Sequence, residues 1–287
     1  MEIVPRLNQK KRYACDIEVY SYLRDHHIEG KVVLPAVEVL MALARIAKIN
    51  FPQINISYLH KARFFRFLSI PPDARRLEMF VDIETTDDGV VASLLTSVKS
   101  KTGAISRTVE HGRVEFVVAD SLPSPMPPFR VVKKLEGDCI SVPSKAIYRD
   151  LVPFGTAYQN IVGDLSVSPE GALAYLSGGG NEADEDLLGS PFPLDAAMHA
   201  ACVWGQRFGD IVSFPTGFEK RIIYKKTKRG GAYLGRVVPV KVNHESLIFD
   251  AWIYDLDGIM CESISGIQMR DVSKGRLHPP DWIKAYL

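Results

Sequence analysis

Two short patterns hold the residues best suited to chemistry. His26, Gly30 and Pro35 are spaced HxxxGxxxxP, and Asp195 and His199 are spaced DxxxH. A neutral imidazole takes up a proton near pH 7. A carboxyl held in apolar surroundings keeps its proton more tightly than one in water, and so serves as an acid. On a helix, a spacing of four puts Asp195 and His199 on one face, one turn apart. That face is otherwise Ala, Met, Cys and Trp, so a carboxylate there is either partnered or functional.

Each pattern sits at the start of an apolar helix. From residue 36 to residue 47 the only charges are Glu38 and Arg45, seven apart on nearly one line. A helix apolar almost all round is a buried helix. Pro35 suits its first turn, where a missing N–H does no harm. The free N–H groups of that turn, and the backbone near Gly30, would favour a developing negative charge. Residues 191–208, PFPLDAAMHAACVWGQRF, predict a second proline-led helix.

Strand patterns follow both helices. In the first half, residues 54–68 read as a strand or two, and 77–84 and 90–99 as a hairpin about Asp87-Asp88-Gly89. Lys101-Thr102-Gly103 turns again before 105–118. Residues 121–129 hold four prolines and read as a linker, and 131–143 read as irregular. The division predicted is 1–120, a linker at 121–144, and 145–287. In the second half, 145–151 reads as a short helix and 171–176 as a strand. The acidic run 181–186 reads as a solvated loop. Residues 221–224, 232–242, 247–254 and 259–270 read as strands, and 274–287 as a loosely attached tail. The class predicted is α+β, each half a buried helix in the concave face of a curled antiparallel sheet.

Composition narrows the alternatives. The 287 residues are 46% hydrophobic and 24% charged, with a formal net charge of +1. No basic field argues for nucleic acid, and no run is long and apolar enough to suggest a membrane span. Cys15, Cys139, Cys202 and Cys261 form no CxxC pair. They read as reduced thiols of a cytoplasmic protein rather than a disulfide or zinc framework. His27, His60, His111, His244 and His278 are read as structural or exposed, and Trp204, Phe208 and Trp252 as core.

The two motifs, each in its own half, resemble those of the dehydratase domains of polyketide synthases and animal-type fatty acid synthases. The similarity runs over nearly the whole chain. It implies a double hot-dog fold, with His26 as catalytic base and Asp195 as catalytic acid. His199 falls in the family's Gln/His place, and Leu194-Asp195-Ala196-Ala197 matches an LDAA-like context. The family's GYxYGPxF motif aligns with LVPFGTAY at 151–158. Gly155 is kept and Tyr158 takes the Phe place, while Val152 and Phe154 replace the tyrosines and Thr156 the proline. Ser190 stands where a histidine often precedes the aspartate. Gly30, Pro35, Phe154, Gly155, Tyr158 and His199 are the substrate-binding residues expected.

The resemblance further implies loss of water from a β-hydroxyacyl thioester, leaving an α,β-unsaturated product. The substrate would ride on the phosphopantetheine of an acyl carrier protein, with no metal or organic cofactor, and a homodimer is admitted. Lys220, Arg221, Lys225, Lys226, Lys228 and Arg229 form a basic cluster, read first as a solvated hairpin and second as a carrier-docking patch. Two other readings stay open: a product-template-like cyclase with the same His/Asp pair, and a non-catalytic acyl-binding module.

Overall fold

The computed structural model describes residues 9–99, 106–118, 126–180, 187–243 and 246–285. The turn expected at 101–103, the acidic run 181–186, residues 121–125 of the proline-rich stretch and His244 lie outside the described residues.

The first half runs β1 (Lys10–Glu18), β2 (His27–Ile28), β3 (Lys31–Val32), a first central helix (Ala36–Asn50), β4 (Tyr58–Phe64), β5 (Arg76–Thr86), β6 (Gly89–Lys99) and β7 (Ser106–Val117). The second runs β8 (Ile140–Pro143), β9 (Ile161–Ser168), β10 (Gly171–Ser177), a second central helix (Phe192–Phe208), β11 (Phe214–Ile223), β12 (Ala232–Val242), β13 (Ser246–Asp255) and β14 (Met260–Arg270). Twelve of these strands form one sheet, in the order β1-β5-β6-β7-β4-β11-β14-β13-β12-β10-β9-β8, while β2 and β3 form a separate hairpin. The first central helix packs on β1, β5, β6 and β7, and the second on β9 to β13. This is the helix-in-sheet unit twice over, a double hot dog.

Both central helices owe their position to apolar sequence. Val37, Leu40, Leu43, Ala44 and Ala47 of the first are buried, and every residue from Phe192 to Gln206 of the second is buried. Pro35 caps the first helix from one position outside it, its carbonyl accepting from the Glu38 and Val39 N–H groups, each at 3.1 Å. In the second helix Pro191 is the cap and Pro193 lies in the first turn, where its missing N–H is harmless. One contiguous core spans both halves, from Val81 and Phe116 to Val203 and Phe249.

The halves are stitched edge to edge by β4 and β11, in antiparallel register from Arg63↔Gly217 to Tyr58↔Ile222. At Gly217 an added Cβ would stand 2.2 Å from the Ala62 carbonyl oxygen, so the seam closes only over glycine. Arg63 ties it further, donating to the Phe218 carbonyl at 3.0 Å and to Glu219 Oε1 at 2.6 Å.

Several elements differ from the sequence reading. β1, β8 and β9 were not anticipated. Within the stretch read as linker, Phe129–Val132 is a short helix, and Val132 packs with Tyr254 and Met260. β8, in the stretch read as irregular, pairs with β9. Residues 144–151 form a short α-turn that widens into a π-turn at Ile147–Leu151. The tail is not loose: Asp281–Ala285 is helical and Ile283 is fully buried. Arg207 donates to the Lys284 carbonyl, and Lys284 pairs with Asp210. No helix among the described residues is long and apolar enough to cross a membrane.

Candidate active site

The HxxxGxxxxP spacing has a backbone reason. β2 and β3 are joined by a two-residue turn, Glu29-Gly30, both in the left-handed region at φ 49° and 75°. Such turns favour glycine at the second place. The hairpin returns the chain so that Val33 lies opposite His26, and the Val33 N–H donates to the His26 carbonyl at 3.0 Å. The Val33 carbonyl then accepts from His26 Nδ1, also at 3.0 Å. A carbonyl only accepts, so Nδ1 carries the proton and Nε2 of the neutral ring keeps its lone pair. Gly30 itself sits at the exposed tip with nothing within 4 Å of an added Cβ. Its role in the loop is a turn conformation, not a close backbone approach to another part of the chain.

Burial pushes the His26 imidazole down to about 4, while the neighbouring Asp195 carboxylate and the Val33 carbonyl pull it back up. The ring is therefore neutral at pH 7, as a base requires.

Asp195 lies in the first turn of the second central helix and is buried. Its Oδ2 is 3.0 Å from His199 Nε2, one turn on, but off the line of the ring N–H. Neither atom has a hydrogen-bond partner of good geometry among the described residues. On the other side of the ring, His199 Nδ1 is 3.5 Å from the Tyr148 hydroxyl, which accepts the Ile161 N–H at 2.8 Å. His199 thus stands beside Asp195. The unpartnered Asp195 oxygen is the unusual feature, since a buried polar atom left unpaired is unfavourable unless something else fills the place.

The LVPFGTAY segment clamps the His26 loop from the opposite half. The Gly155 N–H donates to the Asp25 carbonyl at 2.8 Å, and the Ala157 N–H to Asp25 Oδ2 at 2.8 Å. Thr156, in the family's proline place, adds a hydroxyl 3.3 Å from the same oxygen. An added Cβ at Gly155 would stand 2.4 Å from Asp25 Cγ. The Phe154 ring lies against His26, centroids 4.3 Å apart, and Tyr158 packs edge-on at 5.1 Å. Asp25 is the positioning residue that sequence reasoning missed, since nothing but its adjacency to His26 marked it.

A cavity of about 530 Å³ joins these parts. His26, Gly30, Phe154, Asp195 and His199 line it. Pro35, Gly155 and Tyr158 are not among its lining residues, and act through the helix cap, the Asp25 clamp and packing on His26. His27, His111 and His278, read from sequence as structural or exposed, also border the cavity, as do Met198, Cys202, Gln206 and Ser213. Trp204, Phe208 and Trp252 do not.

The basic cluster is largely engaged. Arg221 is buried against Glu262 at 2.7 Å, Lys225 pairs with Asp255 at 2.6 Å, and Arg229 stacks over Tyr22 and Phe192. Lys226 and Lys228 remain exposed. Ser190 ties down the loop before the second helix, donating to the Gly178 carbonyl at 2.7 Å. Among the described residues no group of three or more His, Cys, Asp or Glu could hold a metal ion.

Comparison with known proteins bears on the fold and the family. The chain is similar in fold to the N-terminal dehydratase from the difficidin assembly line, at 15% identity and TM-score 0.69, covering 92% of this chain and 94% of that one. It is likewise similar to a trans-AT polyketide synthase dehydratase domain from Brevibacillus brevis, at 19% identity and TM-score 0.70, covering 92% and 96%. A third likeness is to the dehydratase domain from the CurJ module of curacin polyketide synthase, at 15% identity and TM-score 0.73, covering 92% and 95%. No curated protein matches by sequence. Residues 130–279, just over half of the chain, match the family described as polyketide synthase dehydratase N-terminal domain; Asp195 and His199 lie within the match and His26 outside it. The chain belongs to this polyketide synthase dehydratase family, and is a hydro-lyase that removes water from β-hydroxyacyl thioesters.

Proposed function

We propose that His26 and Asp195 carry out the dehydration, on a β-hydroxyacyl chain held by the phosphopantetheine arm of an acyl carrier protein. The supporting observation is that these two buried groups, one from each half, border the same cavity. His26 Nε2 takes the α-proton, and the released electron pair forms the α,β double bond. Asp195 protonates the β-hydroxyl, the C–O bond breaks, and water leaves. The pair is reset when His26 gives up its proton and Asp195 regains one. His199 orients Asp195, and Phe154 packs the imidazole toward the cavity.

The test is water loss from β-hydroxyacyl thioesters, followed by mass, on carrier-bound and small soluble forms. His26→Ala and Asp195→Asn should each lower the rate by about 10²–10⁴-fold, with the circular dichroism spectrum unchanged. His199→Ala should cost less. A folded variant that keeps the wild-type rate removes that residue from the mechanism, and equal kcat/KM on carrier and soluble forms removes the carrier.

A further inference from the structure

The second central helix presents more than Asp195 and His199 to the cavity. Cys202 and Gln206 follow on the same side, and Ser213 reaches the cavity from just before β11. Seven and eleven residues beyond Asp195, at a rise of about 1.5 Å per residue, these lie roughly 10–16 Å along the helix from the acid.

This part of the cavity has polar atoms without partners. Ser213 is 1% exposed, and its hydroxyl has no hydrogen-bond partner. It sits against the helix, 3.2 Å from where a Cβ at Gly205 would stand, so the glycine admits it. Gln206 is also 1% exposed. Its Nε2 is engaged, donating to the Leu151 carbonyl at 3.0 Å and to Cys202 Sγ at 3.4 Å. Those two bonds commit the amide nitrogen and leave its carbonyl oxygen, an acceptor, outside them. A hydroxyl donor-acceptor and a bare carbonyl acceptor are together complementary to an alcohol, which donates to Gln206 and accepts from Ser213. A purely hydrocarbon chain would leave the Ser213 hydroxyl unpaired, and a buried unpaired polar group is unfavourable. Sites built to bond a substrate hydroxyl discriminate strongly against analogues that lack it.

We propose that Ser213 and Gln206 form a distal subsite that selects β-hydroxyacyl chains bearing a second hydroxyl several carbons beyond the reacting centre. Gln206 lies about 16 Å along the helix from Asp195, which at about 1.2 Å per bond in an extended chain corresponds to roughly thirteen bonds. The proposal rests on the dehydratase reading of the same cavity and adds the class of acyl chain it takes.

The experiment compares paired β-hydroxyacyl thioesters of equal length, one saturated and unsubstituted beyond the β-carbon, the other with a single added hydroxyl placed ten to fourteen carbons on. Kinetics of water loss are measured for wild type, Ser213→Ala and Gln206→Met. In wild type the hydroxylated member should be favoured in kcat/KM by at least tenfold at one of these positions. Ser213→Ala should reduce that ratio at least fivefold, and Gln206→Met should reduce it independently. The unfolding temperature of Ser213→Ala should not fall, because the hydroxyl it removes is unpaired in the free protein. Water loss from both members with equal kcat/KM at every position overturns the subsite while leaving the dehydratase reading intact. A preference that survives both substitutions also overturns it. Water loss from neither member overturns the dehydratase reading instead.

Discussion

His26 is made ready by burial and aimed by a backbone carbonyl. Because its folded pKa is pushed to about 4, the ring takes a proton only well below neutrality. The acid limb of kcat/KM should therefore fall near pH 4 and not near 6.5, where an exposed histidine titrates. A limb at pH 6 or above would contradict the burial argument. The same shift bears on stability. Between pH 6.5 and 4 the unfolded chain binds a proton that folded His26 refuses, so this contribution is whole above 6.5 and is lost as pH falls through that window. The urea midpoint should decline correspondingly. His26 and Asp195 stood out in the sequence as candidates because chemistry restricts their residue types. Val33 could not, since it contributes only its carbonyl and any residue type would supply one.

Two glycines serve the site for opposite reasons, and substitution should separate them. Gly30 holds φ 75° in open space, so Gly30→Ala strains only the backbone, by roughly 1–2 kcal/mol. Gly155 has an ordinary φ of −68° but no room beside Asp25. Gly155→Ala should destabilise by about 1–3 kcal/mol through overpacking, and should also lower kcat by pushing Asp25, and with it His26, out of place. Calorimetry and kinetics on both variants check this; a Gly155→Ala protein with full kcat would show the clamp to be idle. The central helices and the long hairpins were legible because their apolar periodicity is uninterrupted. The missed strands lack that signal. β1, KKRYACDIE, buries only Cys15 and Ile17 along a mostly charged edge. β9 carries Gly163 and Asp164 where alternation should continue, and β8 has four residues ending in Pro143. The terminal helix follows Pro279-Pro280, which reads as a chain end, yet it delivers Ile283 into the core.

Across the whole molecule, the proposed base and acid come from different halves, and their separation depends on how those halves meet. Among the non-covalent contacts that fix it are the β4–β11 seam and the grip of Gly155 and Ala157 on Asp25. With the twelve-stranded sheet and the main core both continuous across the halves, heating should give a single calorimetric transition, and Gly217→Val should lower it by opposing the Ala62 carbonyl. Peptide continuity between residues 118 and 126 enters none of these contacts. The enzyme should accordingly be divisible there: fragments 1–120 and 121–287, produced together, should complement one another and recover dehydration, while either alone stays inert. Covalent linkage would then matter for the concentration at which the halves find each other, and hardly at all for the reaction they perform once joined.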